Sequence, residues 1–77
     1  PEGLALQNWL AQRAEREYGK KLEKDAAHLM VELVGGNLGI LDRELSKLCD
    51  WAGGVVRLTA EHVHEVVGGW KTKTAWE

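Results

Sequence analysis

The chain has 77 residues, 44% of them hydrophobic and 29% charged, with a formal net charge of −2 at pH 7. This length provides one small domain, near the lower limit for a self-sufficient hydrophobic core. The balance of charge argues against a nucleic-acid-binding module, which usually presents a strongly basic face. A lone cysteine, Cys49, excludes an internal disulfide and a four-cysteine zinc site, and no apolar run approaches the ~20 residues of a membrane span.

Two amphipathic helices are predicted in the first half of the chain. The first runs from about Leu4 to Tyr18 and ends at Gly19, and Leu22 is expected to return to the core. Its apolar residues recur at helical spacing: Leu6, Trp9, Leu10 and Ala14. The second runs from about Glu23 to Val34 and ends at Gly35–Gly36. Its predicted inner face consists of Ala26, Ala27, Met30, Leu33 and Val34.

A third helix is predicted over 38–52, and the other elements are expected to cover its apolar face. Asn37 is the expected N-cap, and Gly53–Gly54 are expected to end the helix. Alternating gaps of three and four place five apolar residues on one side: Leu38, Leu41, Leu45, Leu48 and Ala52. The residues off this face are expected to meet water or a partner: Asp42, Arg43, Ser46, Lys47 and Asp50.

In the last part of the chain, the sequence predicts a brief extended stretch over 55–58, too short to make a sheet alone. A short fourth helix is predicted to follow it. Thr59 is its expected N-cap, and Glu61 suits the positive end of the helix dipole. The helix is predicted over 60–67, with Val63, Val66 and Val67 buried. The fold class is therefore all-α, a small bundle of three main helices and a short fourth. Residues 1–69 are predicted to form the domain and 70–77 a linker toward a following domain.

Three segments carry a resemblance to a known family: Gly36-Asn37-Leu38, Glu44-Leu45-Ser46-Lys47-Leu48 and Leu58-Thr59-Ala60-Glu61-His62-Val63. In this order the chain resembles the delta subunit of the bacterial DNA polymerase III clamp loader, in the small helical lid domain that follows its AAA+ core. The family opens one helix with Gly-(Asp/Asn)-Leu, continues with Glu-Leu-x-Lys-Leu, and starts the next with Ile/Leu-Thr-x-x-x-Val. The preceding pattern also matches, at Leu6, Trp9, Leu10, Ala14, Gly19, Ala26 and Ala27.

The resemblance implies a non-catalytic structural and interaction module that takes part in loading the sliding clamp during DNA replication in the bacterial cytoplasm. In this family an N-terminal domain, outside this sequence, binds the clamp. A C-terminal domain joins a collar with the gamma/tau and delta-prime subunits, and the lid sets the orientation of the two. No cofactor is implied, and DNA is met only through the assembled complex. The chain begins at Pro1 without Met and is interpreted as a piece of a longer protein.

Two other functions stay open. The glycine-rich segment over 35–39 lacks the Lys-Ser/Thr pair of a phosphate-binding loop and follows a helix instead of a strand. An ATPase lid is the first alternative. By resemblance, ATP-binding AAA+ lids carry a phosphate-contacting Arg where this chain has Gly39, and this difference weakens that alternative. A small DNA-binding domain is the second, although its reading helix would expose Asp42, Glu44 and Asp50 to repulsion by phosphates.

Candidate chemical groups do not assemble into a catalytic set. His62 and His64 are two residues apart on one helix and point to different faces, so they cannot join His28 and Cys49 around one metal ion. Cys49 is interpreted as a small buried hydrophobe. The two carboxylates of each candidate acid–base pair are also two residues apart on one helix, so they point to different faces and share no target. These pairs are Asp42 with Glu44, and Glu15 with Glu17.

The tryptophans give the one predicted functional surface. Trp9 is expected in the core or half-buried at its edge. Trp51, Trp70 and Trp76 exceed what so small a bundle is expected to bury, which is typical of a domain interface. Two small basic clusters are interpreted as solvated faces: Lys20, Lys21 and Lys24, and Lys71 and Lys73.

Overall fold

The computed structural model describes residues 2–67, which form four α-helices and one pair of very short strands. In chain order the elements are α1 (Glu2–Tyr18), β1 (Lys21–Leu22), α2 (Lys24–Val34), α3 (Leu38–Ala52), β2 (Arg57–Leu58) and α4 (Ala60–Val67). The all-α prediction, with three main helices and a short fourth, is confirmed. None of the described helices is both long enough and apolar enough to cross a membrane.

The ends of the helices follow from glycine and cap residues. Gly19, with φ of 63°, ends α1, and Gly53, with φ of 58°, ends α3. Both values lie in the left-handed region, which favours glycine. The Asn37 side chain accepts a 3.0 Å hydrogen bond from the Ile40 amide, as its predicted role as N-cap requires. The predicted bounds of α3 are confirmed.

The two strands form a parallel pair that joins distant parts of the chain. Lys21 lies opposite Arg57 and Leu22 opposite Leu58. The Lys21 amide donates to the Val56 carbonyl at 2.8 Å. A strand partner for the extended stretch was not predicted, whereas the return of Leu22 to the core was predicted and is confirmed. The pair places the starts of α2 and α4 side by side.

The hydrophobic core lies between the four helices, with α1 and α4 each packed against both α2 and α3. Its buried members are Leu10, Ala14, Leu22, Ala26, Ala27, Met30, Leu41, Leu45, Leu48, Cys49, Leu58, Val63 and Val67. The predicted apolar face of α3 is confirmed at Leu41, Leu45 and Leu48. It is wrong at Leu38, which is exposed because it stands in the first turn, beyond the packed part of the helix. Ala52, Leu33, Val34 and Val66 pack on the core and are partly buried.

Candidate interaction surface

The described residues expose a concentration of large apolar side chains where α3 ends. Trp51, Val55 and Val56 are 52%, 46% and 61% exposed, and they fall within six consecutive residues. We call these three residues the 51–56 surface. Apolar side chains exposed singly are ordinary, but a cluster of them is typical of an interaction site. Trp51 therefore has the exposure predicted for it, while Trp70 and Trp76 lie outside the described residues.

The backbone beneath the 51–56 surface is held in place by a set of hydrogen bonds. The Lys20 ammonium donates to the carbonyls of Gly53 and Val55, at 2.6 and 2.7 Å. The Val55 amide donates to the Ala52 carbonyl at 3.0 Å, and the bond from Lys21 to Val56 follows one residue later. Because carbonyl groups at a helix end lack partners within the helix, a lysine there stabilises the end and the turn together. A preformed surface of this kind loses little conformational entropy on binding.

Trp51 is oriented by a contact with the first turn of α4. Its ring centroid lies 5.4 Å from that of His62, with 60° between the ring planes, which is an edge-type contact. His62 in turn exchanges two hydrogen bonds with Thr59. The His62 amide donates to Thr59 Oγ1 at 3.3 Å, and the Thr59 amide donates to His62 Nδ1 at 3.2 Å. Thr59 is thus confirmed as the cap of α4.

The role of His62 was missed, since the sequence interpretation placed it on a polar face. A reciprocal pair between the N-cap and the third helical residue is a capping box, in which Glu or Gln usually takes the third position. The Thr-x-x-His spacing from Thr59 to His62 was the available signal. His62 is half-buried and His64 is exposed. Across residues 2–67, no group of three or more potential ligands could hold a metal ion.

A pair of basic side chains borders the 51–56 surface on the strands. Lys21 and Arg57 are opposite each other in the parallel pair, and both are exposed. Like charges at such positions repel, which weakens the pairing unless an anion intervenes. Glu23 supplies one carboxylate, 3.4 Å from Arg57 Nε. Lys20, Lys21 and Lys24 were interpreted as a solvated face. Lys21 and Lys24 are exposed, whereas Lys20 is half-buried and its ammonium also donates to two backbone carbonyls.

Glu44 contradicts the prediction that it lies on an exposed face of α3. Its side chain is only 1% exposed, and Lys47 Nζ approaches Glu44 Oε1 to 3.0 Å. The same oxygen has no hydrogen-bond partner among the described residues. The Lys47 ammonium and the Glu44 carboxylate are therefore close enough for an ion pair, but their angles are not those of a hydrogen bond. Glu44 is three residues after Leu41 and four before Leu48, so the helical spacing itself placed it within the apolar arc.

Asp42 is also less available than predicted, because it pairs with a side chain of α1. Arg13 Nε donates to Asp42 Oδ1 at 2.7 Å, and this hydrogen bond raises the pKa of the Arg13 guanidinium above its ordinary value. The Arg13 guanidinium also lies 5.6 Å from the centroid of the Trp9 ring, within cation–π range. Trp9 is half-buried, as predicted.

Cys49 is buried, as predicted, and it contributes to the floor of an open depression between α1 and α3. The depression has a volume of about 420 Å³, and its lining includes Tyr18, Ser46 and Cys49. Removal from water raises the pKa of the Cys49 thiol, and nearby Lys20 offsets part of this effect. Burial therefore favours the protonated thiol of Cys49 over the nucleophilic thiolate.

Gly39 lies in the first turn of α3, beside the cap. A Cβ at this position would stand 3.3 Å from Asn37 Oδ1, the oxygen that accepts from Ile40. A larger residue would therefore press on the capping side chain. This crowding explains the presence of glycine at position 39 by local structure, without reference to a nucleotide.

Comparisons with protein-family models, with curated proteins and with solved structures find no match to this chain.

Proposed function

We propose that this chain is the lid domain of the delta subunit of a bacterial clamp loader, a cytoplasmic, non-catalytic module that acts in loading the sliding clamp during DNA replication. The three segments of the resemblance support this proposal by their positions in the fold. The Gly-Asn-Leu segment over 36–38 opens α3, and the segment over 44–48 lies in the middle of α3, where it contributes the buried residues Glu44, Leu45 and Leu48. The segment over 58–63 leads from β2 into α4.

The 51–56 surface is the observation that carries the proposal. Its three apolar side chains are exposed on a backbone already fixed by Lys20, which suits a permanent contact with a neighbouring domain or subunit. Trp51 has the size and position of an interface anchor. We propose that this surface packs against the collar, formed with the gamma/tau and delta-prime subunits, and that Trp70 and Trp76 extend the contact. The lid thereby sets the angle at which the clamp-binding domain is presented.

The test replaces Trp51 with Ala in the proposed full-length subunit and measures two affinities separately. Loss of an anchor should weaken assembly with gamma/tau and delta-prime about ten-fold or more. Binary affinity for the sliding clamp should stay unchanged, because the proposed clamp contacts lie in another domain. Leu4→Ala is the matched control, since Leu4 is 54% exposed and lies in α1. Loss of clamp binding with intact assembly would contradict the proposal.

The two alternatives predict different binding partners. An ATPase lid belongs to a protein that binds ATP, so calorimetry with ATP and magnesium on the full-length protein is decisive. Micromolar binding there would favour that alternative over the delta subunit. A DNA-binding domain would shift duplex DNA at low salt. Three acidic residues of α3 were expected to repel phosphates. Of these, Glu44 is buried and Asp42 pairs with Arg13, which leaves Asp50 as the exposed one, so the shift assay is needed.

A further inference from the structure

The outer face of the strand pair carries two cations at directly opposed positions. Lys21 and Arg57 are partners in the register and both are exposed, while the following partners, Leu22 and Leu58, are buried. Successive residues of a strand point to opposite faces, so the two basic side chains share the face that is turned away from the core. Neighbouring strands lie about 4.8 Å apart, so like charges at opposed positions repel. We call Lys21 and Arg57 the basic pair.

The charge of the basic pair is compensated only in part. Glu23 Oε2 lies 3.4 Å from Arg57 Nε and offsets one of the two charges. Lys21 has no ion-pair partner among residues 2–67. Within the described part of the chain, the outer face of the strands therefore keeps one cation that no carboxylate meets.

The basic pair is continuous with the 51–56 surface. Val55 and Val56 directly precede Arg57 and are both exposed. The Lys21 amide donates to the Val56 carbonyl at 2.8 Å, and the Lys20 ammonium donates to the Val55 carbonyl at 2.7 Å. These hydrogen bonds hold the apolar and the basic parts of the surface in one arrangement before any partner arrives, which lowers the entropic cost of binding.

We propose that the 51–56 surface and the basic pair together bind an acidic, apolar segment of a partner protein. One Asp or Glu side chain of that segment lies between Lys21 and Arg57. Its apolar neighbours pack on Val55 and Val56. This inference rests on the proposed function, because it takes the 51–56 surface as the docking surface and adds the chemistry of what docks there.

A carboxylate suits the basic pair because it can serve both cations at once. It has two oxygens, so it can accept from the Lys21 ammonium and from the Arg57 guanidinium, and both hydrogen bonds are charge-assisted. The repulsion between the two cations is present in the free chain and is relieved when the carboxylate binds. Exposed ion pairs contribute little affinity by themselves, so the apolar contacts supply most of the affinity and the carboxylate supplies the selectivity.

A nucleic-acid backbone suits this surface less well than a single carboxylate. Three anionic side chains lie beside the basic pair and Trp51. Glu23 is paired with Arg57, Asp50 precedes Trp51, and Glu61 is exposed in the first turn of α4. A run of phosphates would meet these carboxylates as well as the cations and be repelled by them. One carboxylate needs only the two cations, so the observations favour a protein segment.

Nuclear magnetic resonance on the wild-type 77-residue chain tests the proposal without any partner subunit. The probe is a blocked hexapeptide of alternating leucine and glutamate, and its control replaces each glutamate with glutamine. The glutamate peptide should shift the resonances of the proposed contact residues, and the glutamine peptide should bind about five-fold more weakly or worse. These contact residues are Lys21, Trp51, Val55, Val56 and Arg57.

Three outcomes of this titration overturn the proposal. The first is equal binding of the two peptides, and the second is the absence of a saturable shift at the contact residues. The third is a set of equal shifts caused by inorganic phosphate or by a single-stranded oligonucleotide at the same concentration as the glutamate peptide. The third outcome would identify a general anion site or a nucleic-acid site.

A charge reversal separates lost binding from lost folding. Lys21→Glu should weaken binding of the glutamate peptide about five-fold or more, since it removes one cation and adds a repelling anion. Its Tm should equal or exceed that of the wild type, because a carboxylate then lies opposite Arg57. Lys24→Glu, the same change at an exposed position at the start of α2, is the matched control and should bind the peptide as the wild type does. A folded Lys21→Glu variant that binds the peptide unchanged overturns the proposal.

The same variant in the proposed full-length subunit distinguishes this inference from the proposed function. Assembly with gamma/tau and delta-prime should weaken about ten-fold for Lys21→Glu and stay unchanged for Lys24→Glu. Assembly that requires Trp51 but tolerates Lys21→Glu contradicts this inference alone. Intact assembly of Trp51→Ala contradicts the proposed function, and the peptide titration then decides the inference by itself.

Discussion

Glu44 and Trp51 lie two turns apart on the same side of α3, and their environments are the reverse of what their chemistry suggests. The carboxylate is 1% exposed and the indole is 52% exposed. Glu44 lies where α3 is covered by its neighbours, whereas Trp51 lies at the end of α3 and contacts the first turn of α4 through His62. Position along the helix therefore decides burial here more strongly than side-chain polarity does. The middle of α3 serves stability, and its end presents an apolar surface.

Truncation in the covered middle of α3 should have the largest effect. Leu45 is fully buried in the core, so Leu45→Ala removes packed atoms and leaves a cavity, at a cost of about 2–5 kcal/mol in the free energy of unfolding. In a domain this small, such a loss approaches the whole stability. Urea melts of the variant and the wild type give the difference. A loss below about half a kcal/mol would show that this part of α3 is not the core.

The buried carboxylate should show a smaller effect that depends on which partner is removed. Lys47→Met leaves Glu44 buried without its cation and should cost about 1–3 kcal/mol. Glu44→Met replaces the buried charge with an apolar group of similar size, and we expect a neutral or stabilising result. Arg43→Met, at an exposed position of the same helix, is the control for the loss of a surface cation. Equal effects of Lys47→Met and Arg43→Met in urea melts would show that the ion pair contributes nothing.

Truncation of Trp51 should reduce stability less than truncation of Leu45. Trp51→Ala removes one aromatic contact and a side chain that is about half exposed, so we expect a loss of about 0.5–1.5 kcal/mol in urea melts. This is below the loss at Leu45, although the side chain removed is much larger. Leu4→Ala, which also removes an exposed apolar side chain, should stay within about half a kcal/mol of the wild type. A loss for Trp51→Ala as large as that for Leu45→Ala would mean that the end of α3 belongs to the same core as its middle.

The helices were predictable because their signals are local. Asn37, Gly19 and Gly53 act within one or two turns, so spacing and side-chain chemistry were enough to place them. The burial of Glu44 was missed because a charged residue was assigned to the exposed face of α3, although its position lies within the apolar arc. The strand pair was missed because it joins segments far apart in sequence, and two-residue strands have no periodicity.

The candidate surface was predictable only in part. Trp51 was identified from the excess of tryptophan, which is a property of composition. Val55 and Val56 were interpreted as an extended stretch, and nothing in the sequence shows that Lys20 would bind carbonyls beneath them. The cap at His62 has a recognisable spacing, but its acceptor role depends on a tautomer that no sequence pattern specifies.

The two bonds of Lys20 have a consequence for local opening of the chain. They connect groups 33 and 35 residues apart in sequence and so close a loop that contains α2 and α3. Ordering such a loop carries an entropic cost, so we expect this closure to open more readily than the hydrogen-bonded middle of α3. Amide hydrogens near Val55 should therefore exchange with solvent faster than those in the middle of α3. A partner that binds only the closed form adds its binding free energy to this closure and tightens both ends of the loop at once.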